Sequence, residues 1–319
     1  MNDTKESIFR IGTAVSAVSA VVSAVLYAIA YKNSYDLSIR HFNPSITVTV
    51  FCILAALSVL SSTVSAILLR KSGKMTEHAP NYIESFILWM TAFMFIGFGF
   101  ISLTTPASST VSTSLADSSN GFSILSNVCS SAILPLTFIS ALPFICAASD
   151  KLRGCMIHSL TSFAPVLWGL CLLLKYYFDL KDMTLNDPEL SITSLILSAI
   201  VIFLLSESRS TLNINTPSVY FFGSITALTV TGCFTTARII LSLTSGHAVP
   251  SLMENIIFFM ISALALTRLI SFESKVTPAE QNVPPTDTLR SEDDPAESEG
   301  EAKDAPSASP ETADPGEAI

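Results

Sequence analysis

The sequence predicts an all-α polytopic membrane protein, a bundle of about eight transmembrane helices followed by a disordered acidic C-terminal tail. Only 13% of its 319 residues are charged and 50% are hydrophobic, whereas soluble globular chains carry about 25% charged residues. Apolar segments of spanning length recur up to residue 270, and about 20 such residues cross a hydrocarbon core roughly 30 Å thick. The net charge of −9 lies entirely beyond residue 274, because residues 1–274 hold 14 acidic and 14 basic residues.

The apolar segments divide residues 1–274 into a membrane domain of eight predicted spans. These spans cover residues 11–31, 45–69, 83–103, 124–147, 156–174, 190–205, 219–243 and 252–270. Residues 275–319 contain seven of the chain's 16 prolines and 12 acidic residues against three basic ones. Such a segment cannot bury enough apolar surface to fold alone, so we predict a disordered tail.

The distribution of lysine and arginine predicts the orientation of the chain in a cell membrane. With eight spans, both termini lie on the same side of the bilayer. The flanks on that side hold ten basic residues, and the opposite flanks hold five. Because cytoplasmic flanks carry the excess of Lys and Arg, we predict that both termini are cytoplasmic.

Small residues recur every four positions along the first span, at Gly12, Ser16, Ala20, Ala24 and Ala28. This spacing places them on one helix face, where another helix can approach closely. The stripe is consistent with two interpretations, a generic Ala- and Ser-rich span or specific self-association through span 1. In either case we expect the stripe to face protein.

Prolines interrupt two neighbouring spans, at Pro135 and Pro143 in the fourth and at Pro165 in the fifth. A proline removes a backbone donor and kinks a helix, and in a membrane the freed carbonyl needs another partner or a water-lined cavity. The kinks therefore predict either a small cavity between these two spans or simple packing bends.

Two charged residues of the last two spans, Arg238 and Glu254, each lie eight residues from Gly246 in the intervening turn. An antiparallel hairpin would bring them to the same depth, so we predict an ion pair. Thr231 and Thr235 share the face of Arg238 at helical spacing, and Asn255 follows Glu254, which extends the polar face. The pair would serve as a clamp for the hairpin or as a site for a ligand or gating, while unpaired snorkelling is the third alternative.

The sequence carries no motif that predicts catalysis or cofactor binding. It lacks HExxH, GxSxG, GxxxxGK[ST] and GxGxxG. Its four histidines lie in loops or at span edges, two on each predicted side of the membrane. We interpret its six cysteines as small buried apolar residues. We expect no catalytic residue, metal site or cofactor, and the absence of a basic patch argues against nucleic acid as a partner.

These observations favour a non-enzymatic membrane protein that binds, senses or scaffolds, with the lipid bilayer as its surroundings. The alternative is a transporter or permease for a neutral or lipid-like substrate. Ion coupling usually requires buried ionisable residues along the pathway, and the middle of every predicted span lacks them. A polar cavity that reached the middle of the bilayer would favour transport.

Overall fold

The computed structural model describes the helical part of the chain and short stretches between the helices. The described residues are 2–36, 41–43, 45–68, 74–75, 80–104, 121–149, 151–181, 188–212, 214, 217–245, 252–271 and 276–277. All of them belong to one compact unit, Met1–Ala279. The turn between the last two spans and the predicted tail beyond Thr277 lie outside the described residues.

The described residues form ten α-helices and one π-helical segment. The α-helices are α1 Asn2–Ser34, α2 Ile46–Leu68, α3 Tyr82–Thr104, α4 Gly121–Ala148, α5 Met156–Thr161, α6 Ala164–Lys181, α7 Pro188–Thr211, α8 Pro217–Thr226, α9 Gly232–Ser245 and α10 Leu252–Ile270. The π-helical segment, Ala227–Thr231, joins α8 to α9. We call this continuous element the central helix.

Two short antiparallel ladders are formed by residues between or after the helices. In the first, β1 Tyr35–Asp36 pairs with β2 His41–Phe42 between α1 and α2. In the second, β3 Lys74–Met75 pairs with β4 Val276–Thr277. β4 lies just inside the segment predicted as a disordered tail, and the compact unit continues five residues beyond the predicted boundary, to Ala279.

Among the described residues, seven helical segments are long and apolar enough to cross a membrane, as a helical multi-pass protein requires. They are Ile11–Ser34, Tyr82–Thr104, Asn127–Ala148, Met156–Tyr177, Glu189–Thr211, Pro217–Thr244 and Leu252–Ile270. The predicted second span corresponds to α2, which has 23 residues. Its described apolar stretch, Ile46–Leu57, is shorter than a span.

The fifth predicted span is divided into α5 and α6 at Ser162 and Phe163. The cause is Pro165, which has no N–H to donate to the carbonyl of Thr161 four residues earlier. The backbone N–H of Leu167 then bonds the Phe163 carbonyl at 3.0 Å, which starts the next helix. Pro135 and Pro143 instead lie inside the uninterrupted α4.

The central helix lies at the middle of the bundle. In the most apolar 18 residues of its segment Pro217–Thr244, 83% of the residues are buried, whereas the corresponding share in each of the other spanning segments is at most 50%. Helices α1, α2, α7 and α10 pack around it, and α3, α4 and α6 pack beyond them. The absence of a side chain at Gly223 allows α7 to approach, since a Cβ there would lie 2.9 Å from the Ser206 Oγ on α7.

The small-residue stripe of span 1 is used within the chain. Ser16, Ala20 and Ala24 are buried, where α1 packs against α2 and the central helix. The opposite face of α1 is exposed and rich in valine, including Val18 and Val21. Self-association through span 1 would therefore have to use this valine face.

Candidate functional site

Arg238 is completely buried and pairs with a carboxylate on α7. Its Nη2 donates to Glu189 Oε2 at 2.7 Å and to the Glu189 backbone carbonyl at 3.0 Å. The hydroxyl of Tyr27 donates to the other carboxylate oxygen of Glu189. This Arg238 cluster joins α1, α7 and the central helix.

The direct partner of Arg238 is therefore Glu189 and not the predicted Glu254. The Glu254 carboxylate instead accepts a hydrogen bond from the Tyr176 hydroxyl at 2.7 Å. Helix α7 begins two residues before the predicted span, at Pro188, so that Glu189 lies in its first turn. The carboxylates of Glu189 and Glu254 thus both lie near the depth of Arg238 in the bundle. Which of them pairs with Arg238 is determined by the lateral packing of the helices.

The predicted polar face is turned into the protein. Thr231, Thr235 and Asn255 are fully buried, and the Thr235 hydroxyl donates to the Thr231 carbonyl at 2.6 Å. These residues therefore support the packing of the central helix and α10, and do not line either of the two cavities described below.

A second charged cluster, which we call the Arg268 cluster, lies at the opposite end of the bundle and was not predicted. Arg268 on α10 pairs with Glu84 on α3, and its Nε lies 3.0 Å from Glu207 Oε1 on α7. The Tyr220 hydroxyl donates to the same Glu207 oxygen at 2.5 Å. The sequence showed Arg268 only as a flanking charge, because hydropathy does not tell which side of a helix a flanking residue faces.

Both clusters contain an arginine, a tyrosine and a carboxylate of α7. Glu189 and Glu207 are 18 residues apart, so they are separated by about 27 Å along the helix axis. This is close to the roughly 30 Å thickness of the hydrocarbon core. The clusters thus hold the two ends of α7, where charged groups cost less than at the middle of the bilayer.

A small cavity of about 50 Å³ adjoins the Arg268 cluster. Pro143 and Pro165 both line it, together with His158, Tyr220 and Arg268, whereas Pro135 is exposed and lies outside it. The volume is sufficient for about three or four water molecules. Two of the three predicted prolines therefore meet at one cavity, and it lies at an end of the bundle.

A larger cavity of about 460 Å³ lies between α1, α2, α7 and the central helix, and we call it the mid-bundle cavity. No charged residue is among the described residues that line it. Leu60 is 60% exposed on the outside of α2, so the cavity reaches the outer surface of the bundle. The apolar lining includes Ala55, Ala56, Val59, Leu195, Val230 and Phe234.

Among the described lining residues of the mid-bundle cavity, three carry hydroxyl groups, Ser23, Thr63 and Thr229. The Thr229 hydroxyl donates to the Ile225 carbonyl at 2.8 Å, and the Thr63 hydroxyl donates to its own helix in the same way. The Ser23 hydroxyl has no hydrogen-bond partner among the described residues, although Ser23 is only 3% exposed. Sequence periodicity offered no signal for this residue, because it lies outside the small-residue stripe.

The described residues contain no group of three or more His, Cys, Asp or Glu side chains arranged to hold a metal ion. In comparisons with known proteins, no family, curated protein or solved structure matches this chain. Any proposal about its function therefore rests on the two clusters and the two cavities.

Proposed function

We propose that this chain is a non-enzymatic, multi-pass protein of the cell membrane that binds or senses an uncharged apolar molecule in the mid-bundle cavity. The observation that supports this proposal is the cavity itself. Its volume of about 460 Å³ lies within the roughly 300–1,000 Å³ typical of ligand pockets. Its apolar lining and its opening beside Leu60 suit a molecule that enters from the lipid phase.

The π-helical segment adds a second reason to place the site there. The N–H of Gly232 bonds back to the Ala227 carbonyl five residues earlier, which widens this turn of the central helix. Thr229 and Val230 belong to that turn and line the cavity. Single π-helical turns within α-helices occur frequently at functional sites.

The same proposal includes eight spans with both termini in the cytoplasm. Helix α2 supplies the eighth span, because its 23 residues extend for about 35 Å. The flanking Lys and Arg residues then place the termini on the cytoplasmic side. The proposed partners are the lipid bilayer and the apolar ligand, and nucleic acid is not among them.

Transport of the same molecule is the second candidate. The observation in its favour is that the Arg238 and Arg268 clusters lie at opposite ends of the bundle, where paired charges are able to act as gates. The mid-bundle cavity opens sideways and is mainly apolar, which favours binding over a polar path through the protein. Flux of a cavity ligand across proteoliposomes would support transport, and saturable binding without flux would support sensing.

The test uses the full chain in lipid vesicles with a photoactivatable hydrocarbon, and peptides labelled after illumination are identified by mass spectrometry. We expect saturable labelling around Ser23 and Thr229, with non-saturable labelling of the exposed Val18 face. In Ala55→Phe the new ring fills the cavity, so the saturable labelling should disappear. The control is Ala14→Phe on the exposed face of α1, which should leave it unchanged. Equal labelling of both variants would contradict the proposal.

A further inference from the structure

We propose that the mid-bundle cavity selects a neutral lipid alcohol, an apolar molecule with a single hydroxyl group, and that Ser23 recognises this hydroxyl. This inference rests on the proposed function and names the chemical class of its ligand. The hydroxyls that line the cavity differ in the hydrogen bonds that they make within the protein.

Ser23 differs from Ser16 and Ser19 on the same helix. The Ser16 hydroxyl donates to the Gly12 carbonyl at 2.7 Å, and the Ser19 hydroxyl donates to the Ser16 carbonyl at 3.0 Å. The Ser23 hydroxyl makes no such bond with any described residue, although Ser23 is as deeply buried as Ser16. Buried polar groups in native proteins nearly always have a partner, and Ser23 lines a cavity large enough to hold one.

The other hydroxyls among the described lining residues are available as hydrogen-bond acceptors. Because Thr63 and Thr229 donate their protons to carbonyls of their own helices, each retains an oxygen lone pair that accepts a hydrogen bond. Ser23 has both a donor and an acceptor available. A ligand hydroxyl, which is itself one donor and one acceptor, complements this set.

The lining also excludes other classes of lipid head group. A carboxylate, phosphate or ammonium group would lose its hydration in the cavity without an opposite charge among the described lining residues. A pure hydrocarbon would fit the apolar walls but would leave the Ser23 hydroxyl without a partner. A neutral alcohol satisfies both the apolar walls and the Ser23 hydroxyl.

The test measures competition on the full chain in phosphatidylcholine vesicles that contain the photoactivatable hydrocarbon. Dodecanol, dodecane and dodecanoate are the competitors. For each, the measured quantity is the mole fraction in the membrane that displaces half of the probe. We expect dodecanol to displace the probe at about fivefold to tenfold lower concentration than dodecane, as one net hydrogen bond implies. Dodecanoate should be the weakest competitor.

Substitution of the serine then tests its role. In Ser23→Ala the preference for dodecanol over dodecane should fall to within about twofold, since the remaining threonine oxygens contribute little alone. Ser16→Ala is the matched control, because Ser16 lies on the same helix at the same burial but bonds Gly12, and it should keep the full preference. The wild-type comparison does not depend on whether either variant folds.

The outcomes separate this inference from the proposed function. If the cavity shows no saturable labelling, the proposed function fails. If labelling is saturable but dodecanol and dodecane compete equally in the wild type, the proposed function stands and the lipid alcohol is overturned. If the preference persists in Ser23→Ala, the assignment of Ser23 is overturned.

Discussion

Substitution of Glu189 by glutamine should destabilise the bundle strongly, because it removes the carboxylate that pairs directly with the buried Arg238 charge. The guanidinium is completely buried, and the Glu189 side chain is 10% exposed. Removing one partner of a buried ion pair costs about 3–5 kcal/mol. Glutamine keeps the volume and one oxygen acceptor, so we expect the lower end, about 3 kcal/mol.

The measurement is thermal unfolding of the purified full chain, followed by the fluorescence of its tryptophans. A loss of about 3 kcal/mol corresponds to a fall in Tm on the order of 6–12 °C for a domain of this size. The comparison variant is Glu254→Gln. Glu254 keeps its bond from Tyr176 through the amide oxygen and has no direct contact with Arg238, so the fall in Tm should be clearly smaller.

A double substitution tests the pairing itself. In a background of Arg238→Met there is no buried positive charge, so Glu189→Gln should cost less than about 1 kcal/mol. If Glu189→Gln costs as much in that background as in the wild type, the two side chains are not coupled. A larger loss of Tm in Glu254→Gln than in Glu189→Gln would show that the predicted pair with Glu254 is the one that matters.

Three further predictions concern packing and topology. Gly99→Ala should destabilise the protein by about 1–3 kcal/mol, because the new Cβ would lie 2.6 Å from the ring of Phe138. The control is Gly97→Ala, whose Cβ meets no atom within 4 Å and which should be neutral or stabilising by up to about 1 kcal/mol. If the unfolding midpoints of both variants fall equally, this packing of α3 on α4 is contradicted. Ala20→Leu should destabilise the protein by about 1–3 kcal/mol, because Ala20 is only 7% exposed and a larger side chain would force the helices apart. Val18→Leu is the control and should not destabilise, because Val18 is 63% exposed. Equal stability of the two variants would indicate that the small-residue stripe faces lipid. A single cysteine placed in residues 105–120 should react with an impermeant thiol reagent on intact cells, and one placed beyond residue 280 should not; labelling of the latter would refute the proposed orientation.

Hydropathy and residue spacing were enough to predict the helical multi-pass architecture. The predicted third span, residues 83–103, differs from α3 by one residue at each end. The small-residue stripe correctly indicated a protein-facing side of α1, since Ser16, Ala20 and Ala24 are buried. Arg238 was recognised as a charge that needs a partner, because a lone charge within a span is costly whatever its neighbours are.

The tertiary structure decided which residues meet. Glu189 and Glu254 both lie near the level of Arg238, and the pairing follows from the arrangement of α7 beside the central helix. Arg268, Glu84 and Glu207 are far apart in sequence and meet only because α3 begins at the side of the bundle where α7 and α10 end. The mid-bundle cavity, and the lack of a hydrogen-bond partner for Ser23 among the described residues, likewise depend on the spacing between α1, α2 and the central helix. Sequence patterns report depth and helix face, which are local properties of each segment, whereas lateral neighbours depend on how all the helices pack together.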